Sequence, residues 1–392
     1  MQILMLSCEF MPETYGGAEQ QCLKQSVELV KRGHDVVIVT SRKSWQVPAQ
    51  EMMGGVEVRR FMTFVAPDLL GRYLFATLLW IAQLTRFALR NKQRFDIVHC
   101  HQGKFGIYMG AVLARILRVP QIVKMGNSRQ FFDLKSLHRK KIVGPRFLNY
   151  ALRNKPVCVA ISSMIADDLR EFGISEPRIV QIVNGVIPVE AEFKHPNKEA
   201  LQFFWHGRLE AIKNLTLMLD GFALACGKNP CIHLNLIGSG RMKQELAERA
   251  VRLGVADRVH FLPPSKDILD EIAKHDIFIN TSHAEGLSNS MLEAMACGKI
   301  IISTPVSGAA EIIDEGKNGF VIRDYSAAAI AEVVLRVADM TPEKMKEMFL
   351  HNMKKTQEEF DIEKVIDQYE ALYYKLIKTP PQCPVSTATS GV

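Results

Sequence analysis

Short aliphatic and β-branched runs alternate along the chain with longer stretches whose apolar positions recur at helical spacing. Residues 3–6 are an apolar run of strand length. Residues 18–32 place Cys22, Val27, Leu29 and Val30 at helical spacing and stop at Gly33. Residues 34–40 are β-branched, the pattern of a parallel strand buried on both faces. Strand, helix and strand in this span make one βαβ unit. Further strands are predicted at 95–101, 120–124 and 157–161, with helical stretches between them. The pattern restarts after a passage rich in Pro and charge at 187–198. Strands at 203–205, 232–237, Val259–Leu262, Ile277–Asn280 and 299–303 follow, with helices at Leu215–Cys226 and 242–253. The predicted fold class is α/β: two doubly wound, Rossmann-like domains facing a central cleft. The first spans 1–187 and the second 188–360. A last amphipathic helix is expected at 361–377, and 379–392 reads as a disordered tail. In such sheets ligands bind outside the carboxyl ends of the strands.

Composition narrows the class. The chain has 392 residues, 47% apolar and 23% charged, which excludes global disorder. No apolar stretch reaches the roughly 18–20 residues that span a bilayer. Met1 to Glu9 has no basic start and reads as a first strand rather than a signal peptide. The eight cysteines are scattered without a Cys-x-x-Cys pair, which points to reduced thiols in a cytoplasmic protein. The net charge of +7 is uneven: residues 1–190 hold 26 basic and 15 acidic side chains, the remainder 23 and 27. A basic first half suits phosphorylated ligands or anionic lipid. No basic motif interleaved with aromatics is present, so nucleic acid is not an expected partner. Residues 69–94 are strongly apolar and end in Arg86, Arg90, Lys92 and Arg94. They read as a core helix or as a peripheral membrane contact, to which the cluster Arg139, Lys140, Lys141 and Arg146 would add.

The candidate chemistry lies on loops after strands. Glu285-Gly-Leu-Ser-Asn-Ser-Met-Leu-Glu293 runs into a helix expected from Met291, with Ser288 or Asn289 as N-cap. Gly286 permits close approach, and the amides of Gly286, Leu287 and Ser288 form an anion site. Glu285 and Glu293 flank that turn and suit a ligand bearing both hydroxyls and phosphate; a capped surface helix with solvated glutamates is the alternative. Arg208 and Lys213 follow a strand and a turn, where a fork and a point charge can hold a diphosphate. No Asp-x-Asp stands at a strand end to hold a metal. Gly16 and Gly17 permit a positive φ and close approach. Gly238-Ser-Gly240 lacks the third glycine of a dinucleotide fingerprint. His99 and His101 share one face of a strand, without a third metal ligand; His99 reads as a core histidine and His101 opens onto the cleft.

These motifs, in this order, resemble the family-4 retaining glycosyltransferases of GT-B fold. The match rests on Glu285 and Glu293 with Glu-Ala-Met-Ala-x-Gly, on Gly16-Gly17, on the strand ending at His101, on Asn184-Gly185, on Gly207-Arg208-Leu209 with Lys213, and on Gly238-Ser-Gly240. The resemblance implies a nucleotide-sugar donor held by Gly16, Gly17, Arg208, Lys213, Gly238, Gly286, Leu287, Ser288 and Glu293. It implies His101 and Glu285 at the catalytic centre, no metal and no cofactor. It implies a carbohydrate or lipid-linked acceptor on the first domain, which the last helix completes, and a role in surface polysaccharide or glycolipid biosynthesis at the inner face of the membrane. An epimerase or phosphorylase of the same fold, or a non-catalytic binding module, are the alternatives. The chain departs from the pattern at Leu287-Ser288, at Lys299 and at Pro263-Pro264, and the last of these leaves the nucleotide open.

Overall fold

Two sheets organise the chain in the computed structural model, which describes residues 1–63, 74–139, 143–265 and 267–378. The expectations for residues 69–73, for Lys140 and Lys141, and for the tail at 379–392 lie outside the described residues.

The first sheet holds β1 (Gln2–Leu6), β2 (Asp35–Arg42), β3 (Gln50–Met53), β4 (Val56–Met62), β5 (Ile97–Cys100), β6 (Gln121–Met125), β7 (Val157–Ala160) and β8 (Ile179–Gln181). Their spatial order is β3-β4-β2-β1-β5-β6-β7-β8, and only β3 runs antiparallel. The second sheet holds β9 (Leu201–Arg208), β10 (Ile232–Ser239), β11 (Val259–Leu262), β12 (Ile277–Asn280), β13 (Ile300–Ser303) and β14 (Gly319–Val321). Its order is β11-β10-β9-β12-β13-β14, all parallel. Central strands such as β12 and β13 are buried at every position, because helices cover both faces.

Each order reverses once, between β1 and β5 and between β9 and β12. The crevice outside a reversal point is where such sheets take ligands. The loops that leave β1 and β5 carry Gly16, Gly17 and His101. Arg208 ends β9, and the loops that leave β9 and β12 carry Lys213 and Glu285. Topology alone therefore sets four chemistry-bearing loops around one space.

The last helix, Ile362–Lys378, returns to the first sheet. Val186 and Asp361 form an isolated bridge where the chain crosses back. Ile362, Val365, Ile366, Tyr369 and Tyr373 pack with Ile3, Met5, Cys22 and Ile97. Arg32 pairs with Asp367 and Glu370, both at 2.6 Å, across the same seam. Helix Leu74–Arg90 buries Trp80, Leu84 and Phe87 and leaves Phe75, Leu78 and Leu89 exposed. Among the described residues no helix is long and apolar enough to cross a membrane.

Candidate active site

A cavity of about 1280 Å³ lies between the two sheets and is lined from both. All eleven residues singled out from the sequence line it: Gly16, Gly17, His101, Arg208, Lys213, Gly238, Glu285, Gly286, Leu287, Ser288 and Glu293.

The second-domain wall is built at two strand ends. β9 and β10 pair in register to Gly207–Gly238 and Arg208–Ser239. Gly238 has φ +149, and a Cβ there would stand 1.9 Å from the carbonyl oxygen of Gly207. Only glycine lets the two strand ends run this close, so Arg208 and Ser239 leave the sheet side by side at the cavity. Arg208 is exposed, and its side chain has no hydrogen-bond or ion-pair partner among the described residues. Lys213 Nζ lies 2.5 Å from Glu285 Oε1, which also accepts from Ser282 Oγ at 2.8 Å. The helix after Glu285 runs Asn289–Ala296, two residues earlier than expected. Ser288 is its N-cap by position, but its side chain makes no capping bond, so the first-turn amides keep their donors for another partner.

The first-domain wall carries the other half. Gly16 is the N-cap of helix Gly17–Lys31 and has φ −113. Neither Gly16 nor Gly17 takes a positive φ, contrary to expectation; space is what is used there. Asn289 Nδ2 donates to the carbonyl of Gly17 at 3.0 Å, and a Cβ on Gly17 would stand 3.2 Å from that nitrogen.

His101 is 1% exposed, and neither ring nitrogen has a hydrogen-bond partner among the described residues. It stacks on His99 at 4.4 Å, and His99 Nδ1 in turn meets Tyr373 Oη at 2.7 Å. Burial holds both rings well below the usual histidine range, His99 at about 3, with Lys124 adding to the effect on each. Both are neutral at pH 7, so His101 can hydrogen-bond a ligand without adding charge.

Several residues of the site carry no motif in the sequence. Lys24 Nζ reaches across from the first domain to Glu293 Oε1 at 2.8 Å. Asn289 also accepts from Gln21 at 3.2 Å and from Asn184 at 3.1 Å, which makes it a clasp between domains. Lys124, near the end of β6, is buried on the cavity wall. It does leave a signal: a lysine closing a predicted parallel strand sits where ligands bind. Lys24 and Asn289 act across the interface and leave no local pattern.

Two sheets, each with a reversal point, thus share one cavity that joins cations, carboxylates and a helix start. A family model described as "Glycosyl transferase 4-like domain" matches residues 16–185, and one described as "Glycosyl transferases group 1" matches residues 200–340. The chain belongs to this glycosyltransferase family and has its GT-B fold. It is 25% identical over 372 residues to an uncharacterized glycosyltransferase of Methanocaldococcus jannaschii, covering 91% of this chain and 93% of that one. It is 26% identical over 392 residues to a component of the phosphatidylinositol N-acetylglucosaminyltransferase of Arabidopsis thaliana, covering 96% of this chain and 83% of that one. The structure of HepE from Anabaena, solved with UDP and glucose, superposes with a TM-score of 0.75 at 20% identity, covering 96% of this chain and all of the other.

One expected result concerns the seam itself. A Cβ on Gly286 would stand 2.1 Å from the carbonyl oxygen of Gly126 in the other domain, a backbone atom that cannot step aside. Gly286→Ala must therefore part the two walls. A displacement of about 1 Å at a reacting centre costs roughly 10²-fold in rate. Transfer kinetics on the purified variant check this, and an unchanged rate would contradict it.

Proposed function

We propose that the protein is a retaining, metal-independent glycosyltransferase that moves a sugar from a nucleotide-sugar donor to a hydroxyl of a carbohydrate or lipid-linked acceptor. Its setting is surface polysaccharide or glycolipid biosynthesis. The observation that carries the reading is the meeting, in one cavity, of Arg208, Lys213 and the uncapped start of helix Asn289–Ala296, with His101 contributed by the other domain.

A departing nucleoside diphosphate develops negative charge on its oxygens. Arg208, Lys213 and the helix amides supply fixed positive ends for it, at strand and helix termini that need not rearrange. Lys213 is held by Glu285 in this structure, so donor binding draws the lysine toward phosphate and frees Glu285 for sugar hydroxyls. Glu293 stands beside His206 at 3.7 Å and takes ribose hydroxyls in the same way. Both glutamates are ion-paired with lysines rather than standing free as nucleophiles. This supports attack from the face that the diphosphate leaves. The acceptor O–H bond breaks as the new glycosidic bond forms, and a phosphate oxygen takes the proton. His101, neutral and unpartnered, orients acceptor and sugar by hydrogen bonds. Closure of the domains excludes water and limits hydrolysis.

The solved Anabaena neighbour with UDP-glucose bound supports the donor class. The Arabidopsis relative, whose name specifies phosphatidylinositol, supports a lipid-linked acceptor. Phe75, Leu78 and Leu89, exposed on a helix with Arg86 and Arg90, suit peripheral attachment to the cytoplasmic face of a membrane.

The test is stereochemical. With an α-linked nucleotide sugar, NMR coupling constants of the product should report an α linkage, at the same rate with and without EDTA. A β product, or a rate abolished by EDTA and restored by a divalent cation, would overturn the corresponding half of the reading.

A further inference from the structure

Lys124 is the side chain that the donor chemistry leaves unexplained. It is the penultimate residue of β6 on the first-domain wall of the cavity and is only 6% exposed. Its Nζ has no hydrogen-bond partner among the described residues. Nζ lies over the ring of Tyr369, 5.8 Å from its centre. An ammonium taken out of water without a counter-charge is among the costliest groups a fold can carry. Burial pushes its pKa down to about 7.

Among the described residues no carboxylate pairs with it. Its titratable neighbours are His99 and His101, both held neutral, and Cys22, whose thiol burial pushes up. The carboxylates of the same wall are engaged elsewhere. Glu9 pairs with Lys43, and Glu19 accepts from Gln102 at 2.9 Å. Asp133 accepts from the Gly126 amide at 2.8 Å and from Asn127 at 2.9 Å. The diphosphate side has its own cations on the second domain. The missing counter-charge therefore belongs to whatever fills the first-domain side, next to His101.

We propose that the acceptor carries an anionic group, a phosphate or a carboxylate, and that Lys124 Nζ receives it beside the hydroxyl to be glycosylated. The inference rests on the donor and acceptor sides assigned above. Pairing restores the full charge of the lysine and holds the acceptor by a charged hydrogen bond in a water-poor site. Bonds of that kind contribute about ten- to hundredfold in affinity.

The experiment uses the full chain and calorimetry, with Lys124→Met and Lys124→Gln as variants. UDP is titrated first, alone. Its failure to bind, repeated with GDP and ADP, would sink the donor assignment and leave the anion arm to be read without nucleotide. With UDP at saturation, four probes follow: inositol 1-phosphate, L-malate, uncharged inositol, and phosphatidylinositol in phosphatidylcholine vesicles against phosphatidylcholine alone. The expected result is that at least one anionic probe binds the wild type and binds both variants at least tenfold more weakly. Uncharged inositol should not distinguish the three proteins. A soluble phosphate, a hydroxy acid and a lipid headgroup are told apart by which probe responds. The melting temperature of Lys124→Met without ligand should not fall, because a buried unpaired charge is removed; a purely structural lysine would lower it. The proposal is overturned if no anionic probe binds the wild type, or if the probes bind wild type and variants alike.

Discussion

Arg208→Ala is expected to lower transfer by about 10²- to 10³-fold while leaving the folding transition where it was. The two halves of that result have separate causes. Arg208 ends β9 at the cavity, exposed and with no side-chain partner among the described residues, so its truncation breaks no contact of the fold. Surface substitutions of that kind stay within about 0.5 kcal/mol. A departing diphosphate, in contrast, would lose the one guanidinium fork among the described residues that line the cavity. Lys213 remains, but as a point charge already shared with Glu285. Arg208→Lys should for the same reason recover only part of the rate. Steady-state kinetics beside a thermal melt check both halves. A fully active Arg208→Ala would show that the diphosphate lies elsewhere.

Glu285→Gln separates sugar from nucleotide. In the wild type one oxygen of Glu285 holds both Lys213 and Ser282. The amide keeps the shape and removes the charge. Lys213 is then released to phosphate, so UDP alone should bind at least as tightly as to the wild type. Transfer should fall by about 10²-fold, since a charged acceptor of hydrogen bonds from the sugar is gone when the transition state forms. Calorimetry with UDP and a transfer assay read the two effects independently. Weakened UDP binding with an unchanged transfer rate would reverse the assigned roles of the pair.

Much of this is legible without coordinates. β12 and β13 are continuous aliphatic runs because both faces of a parallel sheet are covered, and their predicted positions agree with the structure to within a residue. β4 escapes the sequence pattern: its Val-Glu-Val-Arg-Arg-Phe-Met alternates, since it lies near an edge and pairs with the short antiparallel β3. β8 and β14, three residues each, are too short to show a period. The site is legible wherever a motif is local, as in the run from Glu285 to Glu293. Gly238 can be picked as a pocket residue, but its reason, contact with the Gly207 carbonyl, needs the strand pairing. The cross-domain pair of Lys24 with Glu293 needs the packing of two domains, and no window of sequence contains it. The unsatisfied state of Lys124 is likewise a property of everything that surrounds it, not of the strand that carries it.

The central claim is that the two domains form a single binding site for a nucleotide sugar. Isothermal titration of a panel of nucleotide sugars into the chain, in EDTA, addresses it directly. The account predicts one donor bound per chain, with binding weakened by at least tenfold in Arg208→Ala and the preference for nucleotide sugar over free nucleotide lost in Glu285→Gln. Absence of binding by every nucleotide sugar, or binding untouched by both substitutions, would contradict it.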